Sequence, residues 1–312
     1  MQNQLEQAIF STIVYFDLFD YPLTLIELER FLLSKQAVSG SVREIDQALG
    51  QSPMLQRRIR AKDGFCYLRG REGIVEERRK RYRTAGRKWK RACRVARVLS
   101  YLPFVRAIFV SNSLAIQNTK PKSDIDLVII TRTRGVWWAR FCSLFLLHLL
   151  RMRPKQGHGE NQLCLSMFID EGHLDIGQLR LADNDIDFAY WVLNFYPLYD
   201  AKGWYRRFWN ANIGWFAAYF PNARPVTAHK RYARKSRPFI RKLFECLLVP
   251  FSFAVHGIQQ WRFPERITEL ANVDSRVRIE DGLLKFHVND RRQEHLRAFV
   301  KRYEEAVRAG LL

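Results

Sequence analysis

The sequence predicts an α+β chain in three parts: a helical N-terminal module closed by a hairpin, a small central sheet, and a helical C-terminal region. Three observations carry that prediction. Capping boxes at Thr24 to Glu27 and Ser41 to Glu44 open two helices near the N-terminus. Two short apolar runs, Phe104 to Val110 and Leu127 to Ile130, are rich in β-branched or aromatic residues and bounded by turn residues, as buried strands are. Beyond Asp183, aromatic and apolar residues recur at helical spacing among arginines.

A chain of 312 residues has room for two or three modest domains. With 47% hydrophobic and 13% aromatic residues it can pack real cores, which excludes wholesale disorder. The formal charge of +21 favours a polyanionic partner, whether nucleic acid, nucleotide or an anionic membrane surface, against the plainer alternative of a solvated basic surface. The five cysteines are scattered, several within apolar runs, without Cys-x-x-Cys pairs or zinc-spaced histidines. A reducing cytoplasm and no structural zinc follow. The N-terminus lacks the basic and apolar regions of a signal peptide. Runs 141–150 and 243–255 are too short, or too interrupted by Glu245 and Pro250, to span a bilayer. A cytoplasmic protein without integral membrane association is expected.

In chain order, residues 5–19 place Leu5, Ile9, Ile13 and Phe16 at helical spacing. The capping boxes start helices running to about Leu33 and Leu49. Leu55 to Arg60 and Phe65 to Arg69 read as short strands around the turn Ala61-Lys62-Asp63-Gly64. Capped helices followed by a hairpin look like a winged helix, with Arg57, Arg58, Arg60 and Lys62 on the wing for phosphates. Its candidate recognition helix is mixed in charge, carrying Arg43, Asp46 and Gln47, so protein docking stays open beside DNA contact. Residues 71–100 form a long basic helix, either a solvated face or an electrostatic funnel toward a neighbouring site. The helix 136–151 is apolar almost all round and should be buried against the sheet, with Trp137, Trp138 and His148 as core. Leu163 to Ile169 is the next strand. The C-terminal helices fall at 185–193, 204–218 and 230–261, followed by a short strand at 283–287 and a closing helix at 290–309.

The chemistry concentrates in residues 104–131. Between the two apolar strands lies the small-residue turn Ser111-Asn112-Ser113 and a polar connection ending in Pro121-Lys122-Ser123. Asp124 and Asp126 open the second strand, and residues two apart on a strand share a face. Two carboxylates that close repel each other unless a cation compensates. Mg²⁺ is the natural compensator, since it takes carboxylates together with substrate phosphates.

This arrangement resembles the nucleotidyltransferase superfamily that includes DNA polymerase β, the aminoglycoside nucleotidyltransferases and the minimal nucleotidyltransferases. Val110, Ser113 and Asp124-Ile125-Asp126-Leu127 match its strand, turn and Asp-x-Asp, and Asn112 stands where the family usually has glycine. Tyr15-Phe16-Asp17-Leu18-Phe19-Asp20-Tyr21-Pro22-Leu23-Thr24 resembles the module found ahead of some prokaryotic nucleotidyltransferase domains. The resemblance implies a winged-helix-like domain (1–70), a basic linker helix (71–103), a small mixed-sheet nucleotidyltransferase core (104–182) and a helical C-terminal region (183–312).

It also implies transfer of an NMP group from an NTP to a hydroxyl acceptor that the sequence leaves unidentified. Asp124 and Asp126 would hold Mg²⁺, with Mn²⁺ as a substitute. Asn112, Ser113, Lys122 and Ser123 would meet the nucleotide, with Lys155 a further cation for the pyrophosphate. The family takes a third carboxylate from the following strand, but no acid sits mid-strand here. Alternation puts Cys164, Ser166, Phe168 and Asp170 on one face, so Asp170 is the candidate base, ahead of Glu160 and Asp175. The rival reading is a catalytically decayed domain serving as a DNA-binding or scaffolding module, and charge alone adds a peripheral membrane protein.

Overall fold

The computed structural model describes residues 2–34, 36–150, 152, 162–226 and 238–309. It is a mixed α+β structure whose centre is a six-stranded mixed sheet with helices on both faces. The N-terminal part holds α1 (Gln2–Asp17), α2 (Leu25–Arg30), α3 (Val42–Gln51), α4 (Pro53–Arg58) and the hairpin β1 (Ile59–Lys62) with β2 (Phe65–Leu68). Both capping boxes form, Thr24 and Ser41 each exchanging hydrogen bonds with the glutamate three residues on. The strand expected over Leu55 to Arg60 is mostly the helix α4. Ser52 caps it by accepting from the Leu55 N–H, and Pro53 occupies the first turn, where its missing N–H costs nothing. The hairpin turn narrows to Asp63-Gly64, both left-handed at φ 53° and 79°, the geometry a two-residue connection needs.

Helix α5 (Gly73–Leu99) leads into the sheet, whose strand order is β6-β3-β4-β5-β8-β7. The strands are β3 (Val105–Val110), β4 (Ile125–Thr131), β5 (Leu163–Asp170), β6 (Tyr196–Asp200), β7 (Val277–Glu280) and β8 (Leu283–Phe286). Only β4 and β5 pair in parallel, and the crossover between them carries α7 (Val136–Leu149), as a parallel connection requires. The sheet thus extends beyond 104–182, taking an edge strand and a hairpin from the C-terminal region, which also holds α8 (Ile186–Leu193), α9 (Trp204–Phe216), α10 (Pro238–Leu248), α11 (Ser252–Trp261), α12 (Glu265–Leu270) and α13 (Arg292–Ala309). Pro250 lies in a 3₁₀ turn that separates α10 from α11 within the single helix expected there. The first part of that expected helix, Lys230 to Arg237, lies outside the described residues.

Strand alternation divides the core. Ile108, Val110, Leu127 and Ile129 face α5, α7 and α11, while Ala107, Phe109, Val128 and Ile130 face α8, α9 and the N-terminal helices. The N-terminal module is continuous with that second layer: Tyr15 stacks on Tyr190 at 4.3 Å, and Phe10 meets Tyr303 of α13 at 5.1 Å.

Two expectations change. Strand β5 does not keep one face throughout, because Leu127 pairs with Leu165 and Val128 with Met167, leaving Ser166 as an extra residue. Leu163 and Leu165 accordingly pack on the α5/α7 side, whereas Met167 and Ile169 pack on the other. Helix α7 buries Val136, Trp137, Ala139 and Leu147, but exposes Phe141, Phe145, His148 and Leu149 on its outer stripe. Among the described residues the sheet contacts one side of the helix, and α11 lies against another.

Candidate active site

The turn after β3 and the start of β4 form one unit. The Ser111 N–H donates to the Asp126 carbonyl (3.1 Å), and the Asn118 N–H closes the turn on the Ser113 carbonyl (2.8 Å). Asn112 sits at φ 55°, the left-handed backbone that glycine fills freely and asparagine tolerates. Beyond the turn, Lys88 from α5 donates to the carbonyls of Lys120 (2.8 Å) and Ser123, fixing the connection that delivers Asp124 and Asp126.

Asp126 lies opposite Cys164 in the parallel register, and Asp124, just ahead of the strand, is exposed beside it. Burial raises the Asp126 carboxyl above the usual carboxylate range; the negative charge of Asp124 adds to this. The polar groups of Asn112 and Cys164 beside it, and the charge of Lys88, oppose the rise. Burial and the two carboxylates together push the Cys164 thiol far up, so it stays a protonated donor.

Asp170 is not part of this cluster. It pairs with Thr131, at the opposite end of β4 from the Asp126 and Cys164 pair. Five to six residues of strand separate the two sites, roughly 16–20 Å at about 3.3 Å per residue. Asp170 instead organises the loop after β5, accepting from the N–H groups of Gly172 (2.9 Å) and Arg134 (3.2 Å) and lying 2.7 Å from His173 Nδ1. Asp175 is an exposed turn residue accepting from the Gly177 N–H. Lys155 and Glu160 lie outside the described residues.

Asn112, Ser113, Lys120 and Ser123 line a cleft of about 570 Å³. Lys122 is exposed on the same connection, but Lys120 is the lysine that reaches the cleft wall. The opposite walls come from Tyr15 to Asp20, α8 and the start of α13. A second cavity of about 320 Å³ adjoins it, sharing Phe19, Asn112, Asp187 and His295 and adding Lys285, His287 and Arg292. Between them His295 Nδ1 sits 3.1 Å from Asp187 Oδ1, which also accepts from the Tyr15 hydroxyl (2.7 Å). Burial lowers Lys285 to about 8, with the positive charge of Arg292 adding to the effect.

Cations of the basic helix build the cleft rather than face solvent. Arg81 is buried, bridging Asp20 (2.9 Å) and Glu77 (2.9 Å) and donating to the Phe19 carbonyl (2.8 Å). Arg78 pairs with Glu27 at 2.6 Å and lies 3.7 Å over the Tyr21 ring, while the Tyr21 hydroxyl donates to the Ile116 carbonyl (3.0 Å). Asn118 donates its amide to the Phe19 carbonyl (2.9 Å). The Tyr15 to Thr24 stretch therefore clamps the N-terminal module onto the turn. Arg79, Lys80, Arg83, Arg87, Lys90, Arg94 and Arg97 remain exposed.

Asp124 and Asp126 are a donor set suited to one Mg²⁺ shared with phosphate oxygens, the usual manner in which that ion is held. Among the described residues no group of three or more His, Cys, Asp or Glu side chains is arranged to hold a metal. Sequence reasoning missed Cys164, Lys88 and the Asp187–His295 pair. Each is placed by long-range packing, and only the central position of Cys164 relative to Asp126 would have been readable had the strand register been known. Comparisons with protein-family models, curated proteins and solved structures return no match to this chain.

Proposed function

We propose that the chain is a nucleotidyltransferase that moves an NMP group from an NTP to a hydroxyl acceptor, with Mg²⁺ or Mn²⁺ as cofactor. The observation that carries this reading is the Asn112-Ser113 turn, which lines a cleft of nucleotide size and is joined to Asp126 through the Ser111 N–H on the Asp126 carbonyl. In it Asp124 and Asp126 hold the ion, which when bound neutralises charge on the phosphates. Ser113, Lys120 and Ser123 line the phosphate path, with Asn112 at the turn. His295, oriented by Asp187, takes the acceptor proton in place of Asp170. The acceptor oxygen attacks the α-phosphorus, the bond to the bridging oxygen breaks, and pyrophosphate leaves with the electron pair. The winged-helix-like N-terminal part serves first as a wall of the cleft, and nucleic acid contact through the remaining basic surface belongs to the same proposal.

The test is incubation of the full chain with each labelled NTP, Mg²⁺ or Mn²⁺ and a cell extract, followed by identification of labelled product. Transfer that disappears in the Asp124→Ala/Asp126→Ala variant supports the reading; transfer retained in that variant refutes it. A second reading has its own observations: an Asn112 amide, not a glycine, stands next to Asp126, and a thiol stands beside it where a third carboxylate would be needed. A decayed domain acting as a DNA-binding or scaffolding module would show no metal-dependent heat with ATP by calorimetry. Among the described residues no helix is long and apolar enough to cross a membrane.

A further inference from the structure

The outer surface of the α7, α10 and α11 layer is apolar, aromatic and free of surface acids. On α7, Phe145 is 60% exposed and Leu149 65%. Leu247 on α10 is 60% exposed, and on α11 Phe253 reaches 87% and Trp261 86%. Helices α7 and α11 lie side by side, since Trp137 stacks on His256 at 4.2 Å and Gln259 donates to the Trp137 carbonyl at 2.9 Å, and α10 leads into α11 through the 3₁₀ turn at Val249–Phe251. Their inward positions are therefore used, and the exposed side chains are the ones left over. Several large exposed apolar side chains on adjoining helices mark an interaction surface.

Charge selects the occupant. Residues 136–150 contain no acid, and residues 238–264 contain one, Glu245. That carboxylate is buried and bound by Arg106 at 2.8 Å, so it offers nothing to solvent. Cations border the patch. Arg262 follows Trp261 and is exposed, and Arg91 of α5 donates to the Met152 carbonyl just past the end of α7, bringing the exposed cationic face of α5 alongside. Long aliphatic and aromatic side chains bordered by arginine and by the basic face of α5, with Glu265 the first exposed acid past Arg262, complement a negatively charged lipid surface: rings and leucines enter the headgroup boundary while cations meet phosphates. A nucleic acid would use the cations but has no place for exposed leucines.

We infer that this face binds the surface of an anionic bilayer, holding the protein there peripherally. The inference is independent of nucleotidyl transfer. It is tested by flotation of the full chain with phosphatidylcholine vesicles and with vesicles enriched in phosphatidylglycerol, at low and high salt. Binding is expected only to the anionic vesicles, weakening with salt. The Phe253→Asp/Trp261→Asp variant should lose at least about tenfold in affinity. Both side chains are exposed, so circular dichroism and thermal unfolding should match the parent. Absence of binding to anionic vesicles overturns the inference, as does binding that the double variant leaves unchanged. A concentration-dependent dimer that the double variant dissociates, without vesicle binding, would assign the face to a second copy and also overturn it.

Discussion

Asn112 sits at φ 55° with its side-chain amide placed to favour the charged form of Asp126, the carboxylate that the proposed ion must reach. Replacing it with glycine separates two effects. A hydrogen bond to a charged group contributes about 1.5–3 kcal/mol. An ion that takes Asp126 must displace that amide, and about 1.4 kcal/mol corresponds to tenfold in affinity. Asn112→Gly should therefore tighten Mg·ATP binding by roughly ten- to a hundredfold. Folding stability changes less. The lost interaction is partly offset because glycine carries none of the left-handed penalty, about 1–2 kcal/mol for an ordinary residue and less for asparagine. Asn112→Ala provides the control: it removes the same amide but keeps the backbone penalty, so it should match the affinity gain while unfolding earlier in urea. Calorimetric titration of both variants with ATP and Mg²⁺ measures the first effect, and urea denaturation the second. Unchanged or weaker binding by a folded Asn112→Gly would refute the competition, and with it the assignment of Asp126 as a metal ligand.

Asp126 supplies a pH test. Its folded-state carboxyl lies above the ordinary carboxylate range because of burial, so its contribution to stability is fully present below that range and is lost as pH rises through the raised value. Asp126→Asn should remove this loss, gaining stability over the parent at neutral pH and little near pH 3, as read by urea unfolding across pH. Lys285 tests the opposite flank. Its pKa falls from 10.5 to about 8, so stability is full above the unfolded value and declines as pH falls from about 10.5 to 8. Lys285→Met should flatten that decline, measured as the difference in melting temperature between pH 7.5 and 10.5. Glu245 is buried and bound by both Arg106 nitrogens at 2.8 and 2.9 Å, while accepting from the Phe104 N–H at 2.8 Å. Glu245→Ala leaves a guanidinium facing an empty site and should cost about 3–5 kcal/mol in urea denaturation, and a loss below 1 kcal/mol would show the pair to be dispensable.

How much of this was readable from residues alone follows the range of the interaction. Strands β3 and β4, both capping boxes and the placement of Asp126 on β4 rest on local pattern, and all are present. Helix α4 was signalled locally by Ser52-Pro53, yet the turn at Ala61-Lys62-Asp63-Gly64 suggested a hairpin strand over Leu55 to Arg60 instead. Asp170 was misplaced for a different reason: alternation assumes an unbroken strand, and the bulge at Ser166 reverses the face, while the register puts Asp170 beside Thr131. The run of cations on α5 has no local signature that tells buried from exposed. Lys88 is buried because carbonyls at 120 and 123 meet it, and Arg81 because Asp20 does; both partners lie more than thirty residues away in sequence.

The Tyr15 to Thr24 stretch changes what the N-terminal module is for. Tyr15 orients Asp187, Phe19 presents its carbonyl to Arg81 and Asn118, and Tyr21 reaches the carbonyl of Ile116. Two of these contacts end on the connection that follows Asn112 and Ser113 and leads to the two aspartates. The module is thus a wall of the cleft and a brace for the turn, joined by buried Arg78 and Arg81 rather than by a tether. A domain docked only for DNA would need no such contacts with residues 116–118. Because the wall holds the connection at residues 116–118 that leads to the carboxylates, removing the module should deform the nucleotide site as well as expose it.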